Sequence, residues 1–91
     1  MEMETIHELR LSGLIGPVCA TVADGAKTNL FVQRLLNEGY SVKLNFHGVK
    51  LVTPSFYAAL VLDLYSIFPE EDLKERLMIR NLPNALPQYW P

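Results

Sequence analysis

Ninety-one residues, 49% of them hydrophobic and 20% charged, with a net charge of −2 and one cysteine, amount to one small domain, because globular domains run to ~50–250 residues. The lone Cys19 excludes a disulfide framework and a four-ligand zinc site and favours a reducing, cytoplasmic setting; eight Lys and Arg spread among ten Asp and Glu form no basic patch for phosphates. The acidic start MEMETIHELR lacks the order of a signal peptide, and the longest apolar stretch, inside 55–68, is interrupted by Asp63 and too short to cross a bilayer, so no nucleic acid and no membrane is expected as partner.

Met3, Thr5, His7, Leu9 and Leu11 alternate with Glu4, Ile6, Glu8 and Arg10, which predicts a first strand with Ile6 on the charged side. Ser12-Gly13 reads as a turn, and Val18–Val22, β-branched and preceded by Pro17, as a second strand that adds an antiparallel edge. Asp24 is placed to cap a helix in which Leu30, Phe31, Leu35 and Leu36 recur at helical spacing, and Gly39 supplies its left-handed stop. Val42, Leu44 and Phe46 alternate with Lys43 and Asn45 in a third strand that ends at His47-Gly48. After Val49–Val52, Thr53 then Pro54 mark a helix start: the hydroxyl caps, and proline gives up only an N–H that lacks a partner there. This helix is expected to reach Phe68, ahead of Pro69.

Glu70, Glu71 and Asp72 at the front, with Lys74 and Arg76 at the back, match the dipole of a further short helix. Leu77-Met78-Ile79 is a last strand, and 83–91, with Pro83, Pro87 and Pro91, a Pro-rich C-terminal tail. The order β-β-α-β-α-(α)-β predicts an α/β fold over 1–82: a mixed four-stranded sheet with packed helices, parallel except at the first hairpin.

Steps of 100° along the helix after Pro54 place Phe56, Tyr57, Leu60, Val61, Leu64, Ile67 and Phe68 in one core arc roughly 140° wide. The remaining arc holds Ser55, Ala58, Ala59, Leu62, Asp63, Tyr65 and Ser66, with one charge. Two readings of this weakly polar arc stay open: a partner docks on it, or other parts of the same domain cover it. Ser55 sits in the first turn, where the helix dipole tolerates a phosphate. A phosphate there adds roughly two negative charges and opposes docking, although a first-turn serine ordinarily just hydrogen-bonds locally. Catalytic signals are weak. His7 and His47 have no carboxylate or cysteine pattern beside them, Cys19 reads as a small buried hydrophobe, Glu70–Asp72 as a solvated first turn, and no Gly-rich phosphate loop exists. Tyr89 and Trp90 in the tail either anchor a partner or fold back over the core. No cofactor, no metal and no enzymatic activity are expected.

The run VKLNFHGVKLVTPSFY from Val42 to Tyr57 resembles the STAS-like domain family of unknown function, in which a strand of the pattern LDFxGV leads into TPSF and a helix. Asp24-Gly25-Ala26-Lys27, and Glu75–Ile79 with Asn81-Leu82, look like the same family. More distantly, the segment is similar to the STAS domains of anti-sigma-factor antagonists. In those a partner kinase phosphorylates a serine at the helix start and so switches binding to an anti-sigma factor. The resemblance implies a STAS-like fold and a non-enzymatic protein-interaction module of bacterial cytoplasmic regulation. Its partner would be another protein, a kinase-like ATPase or an anti-sigma-like regulator, or a second copy in a homodimer. On this sequence Ser55 takes the place of the switched serine, and Thr53 that of an acidic residue two before it. Asn45 stands where the family pattern has Asp, and Phe56 where the antagonists have glycine. The expected partner-binding or regulated residues are Thr53, Ser55, Ala58, Ala59 and Leu62. The alternative is a small anionic ligand or nucleotide held at the helix N-terminus Thr53–Ser55.

Overall fold

In the computed structural model, which describes residues 5–83, the chain runs β1 (Ile6–Arg10), α1 (Leu11–Leu14), β2 (Val18–Cys19), α2 (Val22–Asn37), β3 (Ser41–Asn45), β4 (Leu51–Val52), α3 (Pro54–Leu60), a 3-10 segment (Leu62–Ser66), α4 (Glu70–Arg76) and β5 (Leu77–Arg80). The expected beginning of the first strand at Met3 and the tail residues after Pro83, Tyr89 and Trp90 among them, lie outside the described residues.

Alternation builds the first and third strands. In β1, Leu9 is buried and His7 half-buried, its ring set edge-on against Tyr40 at 4.4 Å, while Ile6, Glu8 and Arg10 are exposed. Val42 and Leu44 of β3, with Phe46 beyond it, have no solvent exposure. The two strands pair in parallel, as do β3 and β5, giving a three-stranded sheet in the order β1-β3-β5. A separate pair, β2 beside β4, is also parallel.

Among the described residues there is thus no antiparallel hairpin and no single four-stranded sheet. The cause is local: Leu11–Leu14 form a helical turn where a strand end and a turn are expected, and Gly16, at φ +129°, redirects the chain. Val18–Cys19 then lies away from β1, and Pro17 O receives the N–H groups of Lys50 and Leu51 at 2.7 and 3.3 Å.

Thr21, not Asp24, caps α2. Its Oγ1 accepts the Asp24 N–H at 3.1 Å, and Asp24 occupies the first turn. The helix ends as expected at Gly39, φ +97°, whose N–H reaches Leu36 O while that of Tyr40 reaches Leu35 O, a Schellman closure. Arg76 of α4 donates to the Leu36 and Tyr40 carbonyls, so a cation satisfies acceptors that the helix end leaves over.

The buried face of α2 is Gly25, Thr28, Asn29, Val32, Leu35 and Leu36. Leu35 and Leu36 belong to it as expected; Leu30, 64% exposed, and Phe31, 41% exposed, do not. The reason is a close crossing with α3. A Cβ added at Gly25 would stand 2.7 Å from Phe56 O and 2.9 Å from Ala59 Cβ, and Asn29 Nδ2 donates to Leu60 O at 2.9 Å in the buried contact. Small and amide-bearing side chains permit this approach; Leu30 and Phe31 would prevent it.

The expected single helix to Phe68 is also shorter. Regular α-helix stops at Leu60 and the chain tightens into the 3-10 segment, whose step of three residues per turn rotates later side chains. Phe56, Tyr57, Leu60, Val61 and Leu64 are buried and Phe68 packs on the core, but Ile67 is turned outward at 50% exposure.

Candidate functional site

The site that the sequence singles out is the junction from Val52 into α3. Val52 lies in register with Cys19, and the Thr53 N–H continues the pairing to Cys19 O at 3.0 Å. The Thr53 hydroxyl then works twice: it donates to Ala20 O at 2.8 Å and accepts the Phe56 N–H at 3.2 Å. Thr53 is half-buried, and its side chain ties β2 to the start of α3. Pro54 occupies the first helical position, where its fixed φ suits the helix.

Ser55 is exposed, with its hydroxyl engaged by no group among the described residues. Of the backbone donors at this helix start, proline has none, the Phe56 N–H goes to Thr53 Oγ1 and the Tyr57 N–H to Thr53 O at 3.0 Å. A bound anion would therefore meet one free N–H, that of Ser55, where anion-binding helix starts present several.

The five residues expected at the partner surface are not equivalent. Ser55 and Leu62 are exposed, Ala58 is half-buried, and Ala59 points at Gly25 in the α2–α3 crossing. Part of the small-residue arc is thus covered by this domain's own α2. The open part continues past Leu62 to a groove of about 380 Å³ lined by Tyr57, Leu62, Tyr65 and Glu70. Burial, and then the neighbouring Tyr65, push the Tyr57 phenol up to about 12, further from its charged form. Tyr65 and Ile67 add exposed apolar surface nearby in sequence. This groove has no signature in the sequence, because it forms where α3 gives way to the 3-10 segment.

Cys19 has no exposure, its thiol faces Gly16 O at 3.9 Å, and burial, with a smaller effect of Asp24, pushes it up to about 11. Such a group is a poor nucleophile at neutral pH. His47 is exposed and His7 packs on Tyr40. Among the described residues no three His, Cys, Asp or Glu gather as a metal site, and no helix is long and apolar enough to cross a membrane.

A second depression, of about 200 Å³, is lined by Leu14, Ile15, Asp24, Lys27, Thr28 and Phe31.

Comparison with known proteins gives one finding. The model of a family described as a STAS-like domain of unknown function matches residues 29–86, from within α2 to beyond β5. No curated protein and no solved structure matches the chain.

Proposed function

Since the chain belongs to this STAS-like family, we propose that it is a non-enzymatic interaction module of bacterial cytoplasmic regulation, whose partner docks on the mouth of α3 and is released when Ser55 is phosphorylated. The observation that carries this reading is the division of labour at the junction. Thr53 is committed to holding β2 and α3 together, whereas Ser55, two residues on, is exposed with its hydroxyl unengaged.

A phosphate on Ser55 adds its charge beside an apolar run that ends in the groove of Tyr57, Leu62 and Tyr65. Desolvating that charge under a partner is costly, while the fold tolerates it at the positive end of the helix. The docking surface is Ser55, Ala58 and Leu62 with the groove beyond. Ala59 and Thr53 support it from within. A protein partner of the kinase-like ATPase or anti-sigma-like kind, or a second copy of the chain, fits this reading. The single free N–H at the helix start favours it over a small anionic ligand.

The test places a photo-crosslinking phenylalanine at Leu62 in cells and compares it with the same probe at Lys74 of α4. The account expects a protein adduct at Leu62 that is absent at Lys74 and is lost in Ser55→Asp but kept in Ser55→Ala. An adduct equally strong in Ser55→Asp removes the switch, and equal adducts at both positions remove the surface.

A further inference from the structure

The strand order β1-β3-β5 advances in one direction, so two right-handed crossovers lay both connections on the same face of the sheet. Burial agrees. Leu9, Val42 and Leu44 are buried, and Leu77 and Ile79 pack on the core. The alternate residues, Ile6, Glu8 and Arg10 of β1, Lys43 and Asn45 of β3, and Met78 and Arg80 of β5, point the other way and are exposed or half-buried. Only Ser41, beside Ile6 at one end, is buried on that side. All-parallel sheets occur almost only with both faces covered; among the described residues no helix or strand lies over this one, and the Asn81 side chain reaches onto its end, Nδ2 donating to Asn45 Oδ1 at 2.8 Å.

Register concentrates charge there. Arg10, Asn45 and Arg80 lie in one row across the three strands, and Glu8, Lys43 and Met78 in the row before it. Arg10 and Arg80 are thus about 10 Å apart at the backbone, two strand spacings. Glu8 accepts a hydrogen bond from Asn45 Nδ2 at 2.6 Å. Among the described residues Arg10, Lys43 and Arg80 have no ion-pair partner, and the one side-chain bond of Arg80 is to the adjacent Ile79 O. Among the described residues, three cations against one carboxylate therefore share an open face in a chain whose net charge is −2.

We propose that this face of the three-stranded sheet is a second docking surface, for an acidic segment of a partner protein that also carries apolar side chains. The guanidinium pair at Arg10 and Arg80 suits carboxylates, each fork taking one in bidentate fashion. Ile6, 52% exposed, and Met78 supply apolar contact beside the cations. The surface is separate from the mouth of α3 and does not depend on Ser55.

The probe is a short fluorescein-labelled peptide of Glu and Leu, followed by anisotropy with the full chain at low and at physiological salt. The account expects salt-sensitive binding that falls roughly tenfold or more in Arg10→Glu/Arg80→Glu and less than about twofold in Lys27→Glu/Arg34→Glu, which changes net charge equally on α2. Melting curves accompany each variant, and Arg10→Gln/Arg80→Gln replaces the reversal should that protein not fold. Absence of binding, equal loss in both double variants, or preference for a single-stranded oligonucleotide over the peptide overturns the proposal. Self-association of the parent that Arg10→Glu/Arg80→Glu abolishes also overturns it, by making a second copy the occupant.

Discussion

Replacing Gly25 by alanine tests the helix crossing on which the α3 surface rests. In an unobstructed helix interior this change stabilises by about 1 kcal/mol, because alanine has less backbone entropy to lose. Here the new methyl would stand 2.7 Å from Phe56 O, 2.9 Å from Ala59 Cβ and 3.4 Å from Leu60 N. Two of these are backbone atoms, so the helices must part. Overpacking of this kind costs ~1–3 kcal/mol, and separation also stretches the buried Asn29–Leu60 bond of 2.9 Å, leaving polar groups short of partners at ~1–3 kcal/mol if it breaks. After the propensity gain is subtracted, Gly25→Ala is expected to destabilise by about 1–5 kcal/mol with that bond broken, read as a lower urea midpoint at unchanged slope. Gly13, in α1 with nothing within 4 Å of an added Cβ, is the control: its alanine variant keeps or raises stability. A Gly25→Ala protein as stable as the parent would refute the close crossing.

Thr53→Ala removes both bonds of the capping hydroxyl and is expected to cost about 1–2 kcal/mol in urea unfolding, whereas Thr53→Ser stays within about 0.5 kcal/mol; equal losses would show that the methyl, not the hydroxyl, matters. Asn45→Asp, which restores the acidic residue of the family pattern, puts a second carboxylate against Glu8 in place of the 2.6 Å amide bond. In an Arg10→Gln/Arg80→Gln background, which removes the cations that flank position 45 in the same row, the repulsion raises the folded-state pKa of the carboxyl pair, so stability falls as pH rises through the carboxylate range, by ~0.5–1 kcal/mol at this half-buried position. Melting temperatures at pH 4 and pH 7 decide it, and a deficit independent of pH contradicts the pairing. For Cys19 the folded value of about 11 lies above the ordinary 9.0; the fold therefore holds the proton more tightly, and its stability declines as pH climbs through that interval. At pH 8 the thiol should react with a disulfide reagent at least about a hundredfold more slowly in the native protein than in urea, and comparable rates would place it at the surface.

Much of this fold is legible in the sequence where one residue's chemistry decides a local outcome. The Val42-Leu44-Phe46 alternation, the Thr53-Pro54 start, the Gly39 stop and the charge order of Glu70–Arg76 all reappear as β3 and the ends of α3, α2 and α4. Features that depend on distant partners do not. Two-residue strands such as Val18–Cys19 and Leu51–Val52 are too short to carry a period, so their separate sheet is invisible. The one-turn helix at Leu11–Leu14 is equally silent. In α2, apolar spacing points to Leu30 and Phe31, but the close approach of α3 selects Gly25 and Asn29 instead.

The candidate site divides in the same way. Ser55 follows from Pro54 by simple counting, whereas the inward duty of Thr53 needs Ala20 and the groove at Leu62 needs the change of helix type. The cationic row of Arg10 and Arg80 is seventy positions apart along the chain and exists only through strand register.

The most direct measurement installs phosphoserine itself at position 55 and titrates the protein cross-linked at Leu62 against the modified and unmodified chains, with a melting curve for each. A phosphorylated chain that melts with its parent but binds at least about tenfold more weakly is the predicted result. Undiminished binding by that chain would contradict the account.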